Sequence, residues 1–470
     1  MRKDRERKKR RARLTLLMAF LAITAVVLGF VLVQNFGILQ GTNPFGQSGS
    51  KGIGNDTTAQ NTSAPSTAAQ SSPSGSPTPG ETPGSSTSSQ EGTKGGEPEG
   101  DVGNGTAADP VKAMLEAMTL EDKVGQLVVV GVDAYNNDEH SKLLMEKYHV
   151  GGFILFKKNI QDSNQLLKLI NSLKQTNAAV SRVPLFMSVD EEGGRVSRLP
   201  AELKKFPSNR IIGKKNDSNL SYGIGEILGE ELRAFGFNMD FAPVLDINSN
   251  PKNPVIGDRA FGTTPEVVSR LGIQTMKGIQ SQKVISVVKH FPGHGDTSVD
   301  SHVGLPRVNH GLDRLESFEL VPFKEAIENG ADTVMVAHIL LPKLDEKNPA
   351  SFSKAVISDL LRNTLGYNGV VITDDFTMGA ITENYDIGLA AVKSIQAGGD
   401  IVLVCHGFEK QETVLKALLQ AVRTGQISTE RLDESVYRVL QLKQKYELAD
   451  TPAGPVDVQS ISMKIAELLK

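Results

Sequence analysis

The stretch VISVVKHFPGHGDTSVDSH, residues 284–302, decides the fold. It opens with an apolar run and then places three histidines, two aspartates and a lysine within fourteen residues, around a Pro-Gly break. So many titratable side chains are costly inside an apolar core and unnecessary on a surface. The pattern therefore predicts a buried strand that leads into an active-site loop.

Seven other apolar runs follow Asp109, most of them separated by amphipathic stretches typical of helices. They are QLVVVGV (126–132), GGFILF (151–156), PLFMSVD (184–190), NMDFAPVLD (238–246), DTVMVAH (332–338), GVVITDD (369–375) and DIVLVCH (400–406). Near-continuous apolar strands between helices indicate a parallel sheet buried on both faces. Eight such units favour a single (β/α)8 barrel of the TIM type, although counting alone leaves an open doubly wound sheet as the alternative.

Most of these runs end in a polar or titratable residue. The end residues are Asp190, Asp246, His290, His338, Asp374 with Asp375, and His406. Solvent exposure of strand ends accounts for some of them. In a barrel, however, the carboxyl ends of all strands meet around one mouth, where catalytic groups are usually built. We therefore expect a catalytic site at that mouth.

The first 108 residues differ in composition from the rest of the chain. Residues 1–13 are rich in Lys and Arg, residues 14–36 contain a long uncharged apolar run, and residues 40–108 are dominated by Gly, Ser, Thr, Pro and Asn. The apolar run matches a bilayer-spanning helix and exceeds the apolar region of a cleaved signal peptide. We predict a cytoplasmic tail, an uncleaved transmembrane anchor, a disordered linker and, over residues 109–470, an extracellular catalytic barrel.

Charge and cysteine content exclude some classes of partner and of fold. The formal net charge is −3 with the basic tail included, so the exported part is mildly acidic and nucleic acid is not an expected partner. The chain has one cysteine, Cys405, which excludes an intrachain disulfide. We expect a monomer that is stable through its hydrophobic core alone.

The histidine-rich loop admits more than one chemistry. His290, His294 and His302, with Asp296 or Asp300, are candidate zinc ligands, although Pro-Gly between the first two opposes a helical HxxxH pair. In an extended segment, Asp300 and His302 would point the same way and hydrogen-bond, which is typical of a histidine used for acid/base catalysis. A plain surface turn is the third interpretation of this Asp-Ser-His triplet.

Four motifs resemble glycoside hydrolase family 3, and within it the β-N-acetylglucosaminidases of bacterial cell-wall recycling. They are VDEEGGRVSRLP (189–200), NPVIGDRAFG (253–262), KHFPGHGDTSVDSH (289–302) and VVITDDFTMGAI (370–381), and the resemblance covers residues 109–446. KHFPGHGDT is the most specific motif, and the Asp-Ser-His triplet separates this branch from the β-glucosidases. The resemblance implies a carbohydrate substrate and neither a metal nor an organic cofactor.

The resemblance also implies a role for each matching residue. Asp374 would be the nucleophile of a retaining double displacement, His302 the general acid/base and Asp300 its partner. Strict strand alternation lets only one of Asp374 and Asp375 reach the mouth, and the choice of Asp374 comes from the family. The first sugar subsite would consist of Asp190, Arg198, Arg259, Lys289 and His290. His294 and Asp296 are expected to be loop scaffold, while Glu191 and Glu192 have no assigned role.

The implied function is an anchored, outward-facing exo-β-N-acetylglucosaminidase that acts on peptidoglycan fragments or related glycans. Many β-glucosidases of the family take their acid/base from a second domain after the barrel. Because few residues follow the last family-like helix here, we expect the acid to come from the barrel's own loop. Three alternatives remain open: a phosphorylase using the same site, a zinc hydrolase, and a non-catalytic wall-binding module.

Overall fold

The computed structural model describes residues 109–470, and eight parallel strands in this part of the chain form a closed barrel in the order β1 to β8. The strands are β1 (Val128–Gly131), β2 (Gly152–Leu155), β3 (Phe186–Val189), β4 (Met239–Asp240), β5 (Ile285–Phe291), β6 (Thr333–Val336), β7 (Val370–Asp375) and β8 (Ile401–Val404). The prediction of a single parallel barrel of the TIM type is confirmed. The predicted tail, anchor and linker lie outside the described residues.

Helices connect the strands and cover the outside of the barrel. They are α1 (Pro110–Glu116), α2 (Leu120–Gln126), α3 (Glu139–Glu146), α4 (Ser163–Val180), α5 (Asn209–Lys215), α6 (Ser218–Phe235), α7 (Pro265–Ser281), α8 (Leu312–Arg314), α9 (Val321–Glu328), α10 (Gly379–Thr382), α11 (Ile387–Gln396), α12 (Phe408–Arg423), α13 (Thr429–Lys445) and α14 (Val458–Leu468), with π-helical turns at Leu315–Glu319 and Ala355–Thr364. Within residues 109–470, none of them combines the length and apolar character needed to cross a bilayer.

The strands are buried on both faces, as their near-continuous apolar sequence predicts. Side chains such as Val129, Phe186 and Ile285 pack together in one cluster, while neighbours such as Val128 and Met187 belong to a larger one. This alternation divides each strand between the barrel interior and the layer under the helices.

All eight predicted strands are present, and most are shorter than predicted. The largest difference is β4, which is regular over only two residues, whereas the apolar pattern extends over residues 238–246. Pro243 follows almost at once and has no N–H for the ladder. Pairing resumes only as a single bridge between Val244 and Lys289.

Two register shifts occur at the mouth of the barrel. The pairing of β5 with β6 shifts between Val288 and Phe291, and that of β7 with β8 shifts between Ile372 and Asp375. Such irregularities interrupt the strict alternation of side chains between the two faces. They occur at the titratable residues near the ends of the two strands, Lys289 and His290 on β5 and Asp374 and Asp375 on β7.

A charged cluster ties the start of β8 to the helices around it. The carboxylate of Asp400 is completely buried and accepts hydrogen bonds from Arg362 at 2.5 Å, Arg438 at 3.1 Å and Arg431 at 3.4 Å. Burial by itself would raise the pKa of Asp400, but the three guanidinium groups outweigh it and lower the pKa. The ionised carboxylate therefore stabilises the fold.

We predict that Asp400→Asn lowers the free energy of unfolding by about 3–5 kcal/mol at pH 7, because it leaves three partly buried arginines without their carboxylate. Since the folded pKa of Asp400 is lowered, its contribution is present above the unfolded value of about 3.9 and is lost as the pH falls through the folded value. Urea denaturation at pH 7 and pH 3 should therefore show a smaller pH effect in the variant than in the parent protein.

The matched control is Asp359→Asn, which removes an exposed carboxylate that pairs with Lys354 at 3.0 Å. An exposed pair contributes at most about 1 kcal/mol, so this variant should unfold almost like the parent. Equal losses in the two variants would contradict the importance given to the Asp400 cluster.

Candidate active site

A cavity of about 370 Å³ lies at the carboxyl ends of the strands. Its volume falls within the range of small-molecule sites, roughly 300–1,000 Å³. All eight residues predicted for the site line it: Asp190, Arg198, Arg259, Lys289, His290, Asp300, His302 and Asp374. Of the other polar strand ends, Asp375 and His406 also line the cavity, whereas Asp246 and His338 are completely buried behind it.

One wall of the cavity is a network of paired charges. The ammonium of Lys289 lies 2.7 Å from a carboxylate oxygen of Asp190 and 2.7 Å from one of Glu192. Arg259 binds Glu192 through two nitrogens, at 2.8 and 2.7 Å. Burial would raise the pKa of Glu192, but the two cations outweigh it and hold the pKa well below its usual range. Glu192, which had no role in the sequence interpretation, is therefore the ionised centre of this wall.

His290 joins the same wall through contacts at both of its ring nitrogens. Its Nδ1 lies 2.6 Å from Asp246, and its Nε2 lies 3.3 Å from a guanidinium nitrogen of Arg259. A carboxylate only accepts, so Nδ1 carries the hydrogen that Asp246 accepts. Lys289 and His290 are consecutive, yet both line the cavity, because the register of β5 shifts between Val288 and Phe291.

Asp374 and Asp375 both line the cavity, contrary to the expectation that only one would reach the mouth. The register shift at the end of β7 accounts for this difference. The carboxylate of Asp375 is engaged by Thr377 N at 2.8 Å, by the Thr377 hydroxyl at 2.5 Å and by Cys405 N at 2.9 Å. These contacts make Asp375 a structural group that fixes the chain after β7.

The carboxylate of Asp374 accepts fewer hydrogen bonds than that of Asp375, and it is ionised. Its Oδ1 accepts the N–H of Asp375 at 2.8 Å, and no hydrogen bond within residues 109–470 reaches its Oδ2. Burial would raise the pKa of Asp374, but the nearby rings of His338 and His290 and the Asp375 N–H outweigh burial and lower the pKa to about 2. Asp374 thus presents a charged oxygen to the cavity at neutral pH.

The Asp300–His302 pair lies at the outer edge of the cavity. The His302 Nδ1 lies 2.8 Å from Oδ1 of Asp300, which also accepts the His302 N–H at 2.9 Å. The segment is a turn, closed by hydrogen bonds from Val303 N and Gly304 N to the Asp300 carbonyl, so the expectation of an extended segment is wrong. The two side chains meet because the carboxylate reaches back to the chain, as Asp side chains do in turns.

The pair is open to solvent, in contrast to the buried wall. The His302 side chain is 66% exposed and that of Asp300 is 36% exposed. Burial would raise the pKa of Asp300, but its hydrogen bonds to the N–H and ring of His302 outweigh burial and lower the pKa. The carboxylate is thus available to hold Nδ1 of the ring, which leaves Nε2 to face other groups.

His338 is a residue whose role the sequence interpretation missed. Its Nε2 lies 2.9 Å from the carbonyl oxygen of Asp375, and its Nδ1 lies 2.7 Å from the Ser351 hydroxyl. Burial lowers the pKa of His338, and a carbonyl only accepts, so the ring carries its hydrogen on Nε2. It fixes the backbone beside Asp374. Its position at the end of a predicted strand was the available signal.

The loop histidines are engaged by protein groups. His294 binds Thr297 at 2.7 Å and Ser301 at 3.3 Å, and Asp296 binds His310 at 2.8 Å, which fits the scaffold role expected for both. Within residues 109–470, no three His, Cys, Asp or Glu side chains group in a way that would hold a metal ion.

Known proteins resemble this chain in sequence and structure. Residues 119–442 match the family model for the glycosyl hydrolase family 3 N terminal domain. The chain is 37% identical over 325 residues to Beta-hexosaminidase A of Pseudoalteromonas piscicida, with 64% of this chain and 54% of that protein covered. It is 36% identical over 333 residues to Beta-hexosaminidase LpqI of Mycobacterium tuberculosis, with 69% and 83% covered. The chain thus spans about half the length of the first relative and most of the second.

A solved structure is also similar. The glycoside hydrolase family 3 beta-N-acetylglucosaminidase from Paenibacillus sp. str. FPU-7 is 45% identical and superimposes with a TM-score of 0.71, over 75% of this chain and 68% of that one. The family match covers more than half of the chain and coincides with the barrel that carries the site. The resemblance inferred from four motifs is therefore confirmed: the chain belongs to glycosyl hydrolase family 3, in the part of it whose curated members are named beta-hexosaminidases.

Proposed function

We propose that the protein is a retaining exo-β-N-acetylglucosaminidase that removes terminal N-acetylglucosamine from peptidoglycan fragments or related glycans. One observation carries the proposal: a single cavity holds an ionised Asp374 with an oxygen free of protein hydrogen bonds in the described part of the chain, and a histidine–carboxylate pair at its open edge. The relatives' names, beta-hexosaminidase and beta-N-acetylglucosaminidase, supply the sugar.

The charged wall is suited to binding the hydroxyls of one sugar. An ammonium has three donors, and Asp190 and Glu192 take two of those on Lys289, so one remains for a hydroxyl. Asp190 keeps one oxygen beyond the one bound to Lys289 and acts as an acceptor. Arg198, Arg259 and His290 complete the proposed subsite. Because Asp190, Lys289, Glu192, Arg259 and His290 are held by one another, they are arranged before the sugar arrives.

The proposed chemistry proceeds in two displacements. Asp374 attacks the anomeric carbon and forms a glycosyl ester, while the bond to the leaving oxygen breaks and that oxygen takes the proton from Nε2 of His302. Water then attacks the same carbon, gives its proton to Nε2 and releases Asp374. Two inversions retain the anomeric configuration. Asp300 binds Nδ1 throughout and keeps Nε2 directed at the reacting oxygens.

The positions of the groups support cleavage of a terminal sugar. The paired charges lie in the buried part of the cavity, whereas the His302 side chain is exposed to solvent. A leaving group beside His302 extends outward, and the sugar at Asp374 has the charged wall behind it. We further propose, from the sequence of residues 1–108, that the barrel is held outside the cell by the predicted anchor, close to cell-wall glycans.

Asp374→Asn should lower kcat/KM for an aryl N-acetylglucosaminide by about 10⁴-fold or more, because the nucleophile is lost. A fluorinated N-acetylglucosaminyl substrate that traps the ester should label the peptide at Asp374 in the parent protein, as shown by mass spectrometry. Asp359→Asn is the matched control and should retain parent activity. A label on Asp375, or unchanged hydrolysis without Asp374, would overturn the assignment.

His302→Ala should lower kcat/KM for the same aryl N-acetylglucosaminide by roughly 10²–10⁴-fold, the usual contribution of a positioned acid/base.

Two product analyses of the parent protein test the reaction type. Proton NMR of the first-formed product should show the β-anomer. Running the reaction with and without inorganic phosphate separates hydrolysis from phosphorolysis, because a phosphorylase would yield the sugar 1-phosphate. Formation of the sugar 1-phosphate as the main product would contradict the hydrolase proposal and indicate a phosphorylase.

Glu192→Gln should raise KM by about 10- to 100-fold, since Lys289 and Arg259 lose the carboxylate that orients them toward the sugar. The comparison is Glu202→Gln, which alters an exposed carboxylate that binds Ser163 and should leave KM unchanged. Thermal unfolding of both variants shows whether the fold is intact. A folded Glu192→Gln protein with parent KM would contradict the role of the charged wall.

A further inference from the structure

The loop that carries the Asp300–His302 pair is attached to the barrel on two sides. Between these two exposed side chains, Ser301 is only 2% exposed. The middle residue of the triplet is thus buried, whereas the side chains on either side of it are more exposed, and all three residues line the cavity. An exposed catalytic group needs such attachment, because an unattached loop would sample many positions and lose effective concentration.

The inner attachment runs from Ser301 to His294. The Thr297 hydroxyl lies 3.0 Å from the carbonyl oxygen of His294 and 2.7 Å from its ring Nδ1. The carbonyl only accepts, so it takes the single hydroxyl proton, and Nδ1 must donate to Thr297. Burial lowers the pKa of His294 to about 4, so the ring is neutral at pH 7 and its Nε2 is an acceptor. The Ser301 hydroxyl, 3.3 Å away, donates to Nε2.

The outer attachment joins the loop to the segment that follows the nucleophile strand. The N–H of Ala380 donates to the Ser301 carbonyl at 3.0 Å, and that of Gly379 donates to the His302 carbonyl at 3.3 Å. Both donors belong to the first turn of α10, where N–H groups have no partner within the helix. The chain from Asp374 to Gly379 thereby becomes a direct link between nucleophile and acid/base.

Gly379 leaves no room for a side chain at this contact. A Cβ on it would lie 2.7 Å from the His302 carbonyl oxygen and 3.2 Å from the backbone of Val303. Its φ is not in the left-handed region, so conformation does not require glycine, and helix propensity favours alanine. The close approach of the His302 backbone is therefore the physical reason for a glycine at position 379.

We propose that Ser301 and Gly379 are positioning residues that set the place of His302 relative to Asp374. The inference rests on the proposed function, since it assumes that His302 transfers the proton. Both residues also line the cavity, and the contacts described above hold the loop in place. A Cβ at Gly379 pushes the loop away from the nucleophile, and loss of the Ser301 hydroxyl releases its inner side.

The test compares two aryl N-acetylglucosaminides. A dinitrophenol leaves without protonation, whereas a simple phenol needs the acid, so misplacement of His302 affects only the second substrate strongly. We expect Gly379→Ala to lower kcat/KM by about 10- to 100-fold for the phenyl substrate and by less than about threefold for the dinitrophenyl substrate. Azide, a nucleophile that needs no base, should raise kcat of the variant on the dinitrophenyl substrate and give the β-glycosyl azide.

Two further variants keep the test decisive. Gly454→Ala is the matched control, because a Cβ there meets no atom within 4 Å and its φ is also outside the left-handed region; it should match the parent on both substrates. Ser301→Ala should show the same selective loss of kcat/KM on the phenyl substrate as Gly379→Ala. If thermal unfolding shows that Gly379→Ala does not fold, Ser301→Ala takes its place in the test.

The outcomes separate this inference from the function on which it rests. If His302→Ala loses activity selectively on the phenyl substrate but Gly379→Ala and Ser301→Ala match the parent, the inference is wrong and the proposed function stands. Equal losses on both substrates in the two positioning variants would indicate general damage and also overturn it. If His302→Ala itself shows no selective loss, the proposed role of His302 is wrong and the inference falls with it.

Discussion

Glu192 is the ion on which the mouth of the barrel depends, because it lies within 2.7 Å of both Lys289 and Arg259. Buried cations without a carboxylate are strongly destabilising, so the three charges are stable only together. Asp190 extends the network toward the cavity through Lys289. The donors and acceptors of the proposed sugar subsite are therefore held in place in the folded protein before any ligand binds.

Asp374 and His302 differ in how far they are exposed to solvent. Asp374 lies in the floor of the cavity, where neighbouring rings and a backbone N–H keep it ionised. His302 lies at the rim, where it can exchange protons with water and meet an outgoing group. A nucleophile needs constant charge and an acid/base needs to gain and lose a proton, so the two environments suit the roles proposed for Asp374 and His302. The attachment of the rim loop to the segment after β7 connects them.

The fold was predictable because apolar strands of a parallel barrel are continuous in sequence and end in polar residues at one mouth. The approximate positions of all eight strands followed from that pattern alone. Their exact lengths did not, as β4 shows, because ladder pairing depends on neighbouring strands and on the missing N–H of Pro243. The site residues were located through family motifs, and the structure brings all eight to one cavity.

The sequence by itself determined the barrel, the family and the set of polar residues at the strand ends, since these depend on local periodicity and on motifs within short segments. Only the tertiary structure decided which of these side chains are engaged by other groups of the protein. Register shifts turn both Asp374 and Asp375 toward the cavity, and contacts from Thr377 and Cys405 immobilise the second. Likewise, Glu192 acquires its role only from cations that come from other strands and loops. Pairings between distant segments depend on three-dimensional register, which residue spacing along the chain does not contain.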